Sequence, residues 1–275
     1  MVSLQHDFIG GHFCGGSLIA KDIILTTAHC QLEELNKMER LVSDRIALTG
    51  YSVVLGRHDH DNNDGEVIAM KAEVPHPYYD KMGSSDNDFM LAFLESASNA
   101  GNADLIKLNS VSTFPSIGQG GTAMGLGDTN IRPDISTGSD VLLNVDVTII
   151  SNEDCKASMG MHPVDGNYQT HYGKMMKNML CTRKNGQDSC QADSGGALVV
   201  RGDDSSADVQ VGIVSWGYGC ASSEFPGVYA QVSEAYYWIR TEVCQRSSYA
   251  SEAGFDCGGI GILFDFVSDL FGDGN

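Results

Sequence analysis

Apolar residues along this chain come in short runs set between clusters of Gly, Asn and Asp. In one run Leu143, Val145, Val147 and Ile149 alternate with Asn144, Asp146 and Thr148, the period of two that a strand with one buried face requires. Comparable segments lie at 16–20, 23–26, 51–55, 66–74, 89–94, 197–200, 209–215 and 228–232. Many short strands and few long helical patterns predict an all-β protein, either a sandwich or a pair of barrels. Residues 96–121 are rich in Ser, Asn, Gly and Ala, as a linker between two β units would be. A boundary near Asn109 divides the chain into 1–109 and 110–244. One helix is predicted at 234–244, with Ser233 as its cap and Tyr237, Trp238 and Ile239 available for packing. Residues 245–275 form a C-terminal extension. Its first part is small and polar, whereas Leu263, Phe266, Val267, Leu270 and Phe271 fall at helical spacing around Asp265, Ser268 and Asp269. This stretch is too short to span a bilayer, and its acidic face suits anionic lipid badly. It is expected to form a short amphipathic helix that docks on its own protein or on a partner, or to stay frayed.

Composition narrows the function classes. With 42% hydrophobic residues among 275, the chain can bury a core. Its 36 acidic and 17 basic residues give a formal net charge of -19, which repels phosphate backbones and anionic lipid and favours cationic substrates. A surface charged only for solubility is the plainer alternative. Eight cysteines at scattered spacings, with no CxxC pair and no Cys/His cluster in the sequence, suit disulfides of an oxidising compartment rather than zinc. A secreted or extracellular protein is expected, although the first residues, MVSLQH, lack the basic start and apolar run of a secretory leader.

Chemistry enters at CQADSGGAL, residues 190–198, where Ser194 stands between an aspartate and two glycines. A serine hydroxyl is a weak nucleophile at neutral pH, so it needs a base within hydrogen-bond reach and a group that holds that base in the right tautomer. HFCGGSLIAKDIILTTAHC, 12–30, supplies His29, and DNDFMLAFL, 86–94, supplies Asp88. Together with SWGYGCASSEFPGVYAQVS, 215–233, these ordered segments resemble the trypsin-like serine proteases of the chymotrypsin fold, family S1, from about residue 2 to residue 244. Singly each has an ordinary reading: a buried histidine beside a structural disulfide, a turn aspartate, a DSGG turn. Four in order do not. The order His, Asp, Ser and the lack of a GxSxG elbow set aside an esterase of the α/β-hydrolase type.

The resemblance implies two packed antiparallel six-stranded β-barrels, with His29 and Asp88 on the first, Ser194 and the primary pocket on the second, and a C-terminal helix. It implies a serine endopeptidase in which His29 takes the Ser194 proton and returns it to the leaving amine, while Asp88 holds the imidazole. The N–H groups of Ala192 and Ser194 would stabilise the oxyanion. Ala192 departs from the family's usual glycine, which suits an unusual backbone conformation, so reduced catalysis is expected. Ala197 stands where proline is usual. Asp188 matches the base of the primary pocket, Gly217 and Gly227 match its open walls, and the backbone of Ser215, Trp216 and Gly217 would pair with substrate. Polypeptide substrates cleaved after Arg or Lys follow from this.

Further consequences of the resemblance concern bridges and partners. Cys14–Cys30, Cys155–Cys181 and Cys190–Cys220 match three family disulfides, and Cys244 and Cys257 remain to pair with each other. No cofactor is implied. Asp59, Asp61, Asp64 and Glu66 lie where many members bind calcium, but Gly65 is misplaced for an EF-hand and Arg57 stands where a ligand carboxylate is common; a solvated acidic turn is favoured. Family members are activated by a cleavage whose new ammonium inserts beside the aspartate preceding the nucleophile, here Asp193. The segment that would carry it is not in this sequence, and a buried carboxylate without its partner costs about 3–5 kcal/mol. A zymogen-like polypeptide, or an incomplete chain, is the expectation. Expected partners are an activating protease and protein inhibitors, with a monomeric state, no nucleic acid and no membrane span. The competing class is a non-catalytic homologue that serves as a binding module, although its usual mark, loss of a triad residue, is missing.

Overall fold

Every residue of Ile23–Thr26 and of Met90–Leu94 is buried, because these neighbouring strands have a core on each side. In the computed structural model they belong to a closed antiparallel barrel of β1 (Val2–His6), β2 (His12–Ala20), β3 (Ile23–Thr26), β4 (Tyr51–Leu55), β5 (Glu66–Pro75) and β6 (Met90–Leu94), in the order β1-β2-β3-β6-β5-β4. The structure describes residues 1–6, 11–31, 51–59, 62, 64–101, 104–128, 138–162, 166–169, 172, 175–184, 190, 192–218, 222 and 224–258. Alternation across the pleat partitions β3 and β6 between two cores. Ile24, Ala92 and Leu94 pack inside the barrel with Val2, Val53 and Ile68. Ile23, Leu25, Leu91 and Phe93 point the other way, into a cluster shared with the second half of the molecule. Each such fully buried aliphatic or aromatic side chain contributes about 1.5–3 kcal/mol.

The second half contains β7 (Lys107–Leu108), β8 (Gly120–Gly125), β9 (Leu143–Ile150), a hairpin of β10 (Gly160–Met161) and β11 (Tyr168–Gln169), β12 (Met179–Arg183), β13 (Ala197–Val200), β14 (Val209–Trp216) and β15 (Gly227–Gln231). Its sheet runs β13-β8-β9-β12-β15-β14, and pairing of β13 with β14 closes these six antiparallel strands into a second barrel. Strand β7 adds to β14 in parallel from outside. The all-β architecture of two six-stranded barrels is thus the one expected. In β9 the alternation holds only at one end: Val147 and Ile149 are buried, but Leu143 is 44% exposed. There β9 pairs with β8 alone, whereas β12 covers it only from Thr148 onward.

Two α-helices complete the described structure. The short α1 (Asn152–Lys156) is capped by Ser151, whose side chain accepts the Asp154 N–H. The longer α2 (Val232–Arg246) follows β15 directly, so it starts before Ser233 and has no side-chain cap. Val232, Ala235, Ile239 and Val243 form its buried stripe, which lies in the shared cluster against Ile23, Leu91 and Phe93. Three of the expected disulfides are present: Cys14–Cys30, Cys155–Cys181 and Cys244–Cys257. Cys190 is disulfide-bonded, and Cys220 lies outside the described residues. So do Asp188, Asp61 and the apolar stretch 263–271. No helix among the described residues is long and apolar enough to cross a membrane.

Candidate active site

His29 sits in a 3-10 turn, Ala28–Cys30, just after β3, and the Cys14–Cys30 bridge ties that turn to β2. Asp88 sits two residues before β6 and is fully buried. Its Oδ1 accepts the His29 backbone N–H at 3.0 Å, and its Oδ2 lies 2.7 Å from Nδ1 of the same residue. Oδ2 also accepts the Ser215 hydroxyl at 2.5 Å. A carboxylate is acceptor-only, so the Nδ1 position carries the proton and Nε2 is left as the basic nitrogen. Burial pushes the His29 imidazole down; the Asp88 charge and hydrogen bond outweigh this and hold it above its ordinary 6.5.

The Ser194 loop is held from both barrels, against the turn that carries His29. Its carbonyl accepts the Gly15 N–H from β2 at 2.7 Å and lies 3.9 Å from Sγ of Cys30, the residue after His29. On the other side Gly195 N–H donates to Val214 of β14 at 2.9 Å. Glycine is required at 195: φ is +84°, and a Cβ there would lie 2.2 Å from both the Gly15 carbonyl and Thr26 Oγ1. Ala192 adopts φ +68°, the left-handed conformation that the expected glycine would take more readily. Among the described residues, the N–H groups of Ala192 and Ser194 donate to no protein acceptor, which leaves both available to a ligand oxygen.

The Asp193 carboxylate turns into the second barrel. It accepts the N–H groups of Gly127 at 2.8 Å and Cys190 at 2.7 Å, directly over Gly125, where a Cβ would lie 1.7 Å from its oxygen. Burial raises its pKa most; the two backbone donors oppose this, and the charge of Asp128 adds to it. Among the described residues no cationic side chain forms an ion pair with it. The strand ends beside this loop carry Trp216, Gly217 and Gly227: Gly227 is buried opposite Thr182, and Trp216 pairs with Val228.

Some contributors escape a reading of the sequence alone. The His12 imidazole donates from Nε2 to the Ala192 carbonyl at 2.8 Å, while its Nδ1 lies 2.8 Å from Ser3 Oγ, so β1 and β2 hold the peptide after Ala192. Tyr172 is fully buried; its hydroxyl donates to the Pro226 carbonyl at 2.5 Å and accepts the Tyr218 N–H at 3.2 Å, joining the 216–218 and 225–227 segments. His12 lies inside the quoted HFCGG motif, whereas nothing local marks Tyr172.

The described part of the acidic turn does not fit a calcium ion. Arg57 is 7% exposed, donates from Nε to the Asp64 carbonyl at 3.1 Å and stands 3.7 Å from the Asp64 carboxylate. That carboxylate also accepts the His58 and Asp59 N–H groups, and Glu66 binds Asn99 through its backbone and side-chain amides. The buried Arg57 guanidinium beside the Asp64 carboxylate opposes a cation there, and the described carboxylates of Asp64 and Glu66 already accept hydrogen bonds.

The family model for Trypsin matches residues 1–239. This chain belongs to the trypsin family. It is 34% identical over 240 residues to a trypsin of Squalus acanthias, covering 86% of this chain and 87% of the relative. It is 33% identical over 244 residues to cationic trypsin-3 of Rattus norvegicus, covering 85% and 81%. Among solved structures it resembles neuropsin, a serine protease expressed in the limbic system of mouse brain, with a TM-score of 0.67, 27% identity, and 88% and 93% coverage. A trypsin-family serine protease is therefore the class to which the clustered His29, Asp88 and Ser194 segments belong.

Proposed function

We propose that this protein is a secreted serine endopeptidase that cleaves polypeptides after Arg or Lys, with Ser194 as nucleophile. The observation that carries the reading is the buried Asp88 carboxylate bonded to His29 Nδ1 in a turn that touches the Ser194 loop. Ser194 Oγ attacks the scissile carbonyl carbon and its proton passes to His29 Nε2, while the developing oxyanion takes the N–H groups of Ala192 and Ser194. The imidazolium then protonates the leaving amine as the C–N bond breaks, giving an acyl-enzyme. Water attacks the ester, loses its proton to His29, and the acid departs with Ser194 Oγ–H restored. Asp88 stays ionised throughout, held by Ser215. Asp188, which the resemblance matches to the base of the primary pocket, is the group assigned to select the substrate cation, and Asp193 accepts an ammonium when the precursor is cleaved, which offsets the burial of its charge.

The test uses activated enzyme. Reaction of Ser194 with a fluorophosphonate, abolished in Ser194→Ala, supports catalysis; activated protein that does not react overturns it. Peptide amides with Arg, Lys or Leu at the cleaved position then test specificity, and a preference for Leu would remove Asp188 from its assigned role while leaving the hydrolase reading intact.

A further inference from the structure

Beyond residue 239, where the match to the family model ends, the chain builds a lobe of its own. After α2 it turns back through 247–258 to the Cys244–Cys257 disulfide. We propose that this lobe is a clasp that holds the strands carrying His29 and Asp88 in register with the second barrel; the proposal rests on the catalytic reading of those two residues.

One side of the clasp is fixed to α2. Besides the disulfide, the Arg240 guanidinium donates to the carbonyls of Asp256 and Gly258, and Phe255 stacks on Tyr236. The other side grips the first barrel. Ser247 Oγ donates to the Asp22 carboxylate at 2.5 Å, Lys21 Nζ lies 3.0 Å from Glu252 and 5.7 Å from the Tyr249 ring centroid, and Arg246 lies over Phe93. The exposed ion pair contributes little by itself. The burial of Ala250 and Phe255, in the cluster that also holds Ile23, Phe93 and Ile239, makes the lobe part of the core between the barrels.

The grip is applied where it can act on the site. Strands β3 and β6 are antiparallel partners, Ile23 opposite Phe93 at one end and Thr26 opposite Met90 at the other. The clasped turn is bonded to both, since Asp22 immediately precedes β3 and its carbonyl accepts the Leu94 N–H at 2.9 Å. His29 and Asp88 leave from the opposite ends of the same two strands. On the second barrel, α2 continues β15, which pairs with β14, whose Ser215 bonds Asp88. The clasp and the Ser215–Asp88 bond thus act on one pair of strands from its two ends, and loosening the clasp frees the far end and weakens the register that the site end needs.

The experiment compares the activated full chain with Cys244→Ala/Cys257→Ala, and with the milder Ser247→Ala/Glu252→Gln should the first fail to fold. Measured well below melting, amide exchange in Ile23–Thr26 and Met90–Leu94 is expected to rise about tenfold in the disulfide variant. Its kcat on an Arg amide, and its rate of fluorophosphonate reaction, are expected to fall about tenfold with KM held within about twofold, because register is lost without loss of the pocket. The milder pair should move both readouts in the same direction. A lower melting temperature with exchange of β3 and β6 and kcat unchanged overturns the clasp and leaves a structural staple. If wild-type enzyme fails to react, the catalytic reading falls, and exchange in β3 and β6 alone decides the clasp.

Discussion

At residue scale the departure at Ala192 has the clearest consequence. A non-glycine residue in the left-handed region costs about 1–2 kcal/mol, and Ala192 is held at φ +68° with its carbonyl fixed by His12. Glycine would relieve that strain and add about 0.5–1 kcal/mol of unfolded-state entropy; the two nearly cancel. Ala192→Gly is therefore expected to leave the melting temperature within a few degrees and to raise kcat on a peptide amide by about 2–10-fold, through better approach of the oxyanion to the 192 N–H. An unchanged kcat would show that the methyl group is harmless there. His29 yields a second prediction. Since its pKa stands above 6.5 and the base must be neutral, the acidic limb of kcat/KM is expected above pH 6.5. The stability linkage runs the other way: the folded state binds this proton more tightly, so its contribution is complete below pH 6.5 and is lost as pH rises through the folded pKa. Asp88→Asn removes the opposing charge but keeps the burial, so the limb should shift to lower pH while kcat falls about 10⁴-fold, the size of this change in the Ser-His-Asp template. A limb that does not move would detach Asp88 from His29.

At the scale of elements, the seam between barrels depends on backbone contact that no larger residue permits. Gly195→Ala puts a Cβ 2.2 Å from two oxygens of the first barrel at φ +84°; left-handed strain and overpacking together cost about 2–5 kcal/mol. The expected result is a lower urea midpoint together with loss of Ser194 labelling, since relief requires the nucleophile loop to back away from Gly15 and Cys30. This seam also shows why only part of the molecule was legible beforehand. The short strands and the His29, Asp88 and Ser194 segments are readable because periodicity and motif are local, whereas Cys14–Cys30 and Cys155–Cys181 follow only from the family resemblance those motifs carry. The start of α2 leaves no capping signal in the sequence because the helix continues β15 directly. Leu143 is exposed because β12 covers β9 only from Thr148 onward, which alternation cannot reveal. The first part of the extension is small and polar in sequence, although Ala250 and Phe255 are buried; Tyr249, Ala250, Ala253 and Phe255 show no sustained period, and a disulfide rather than a pattern fixes the segment. His12 and Tyr172 act on backbone carbonyls far away in sequence, a relation that leaves no compositional trace.

At the scale of the whole molecule, charge becomes a kinetic quantity. The formal charge of -19 generates a field that attracts cations, and at about 10 mM salt the Debye length of roughly 30 Å lets that field extend across a substrate's approach, whereas at about 150 mM it shrinks to roughly 8 Å. Encounter with a cationic peptide should then slow as salt rises, while the bond-breaking step inside the site, screened by protein rather than by ions, should not. The expected outcome is a several-fold fall in kcat/KM for an Arg peptide over that salt range with kcat nearly constant, and a flat profile for a neutral Leu peptide cleaved by the same enzyme. Equal salt dependence for the two peptides would mean that the acidity only keeps the protein in solution. A kcat that falls with salt for both would instead point to an effect on the folded site itself, because steering changes arrival and not turnover.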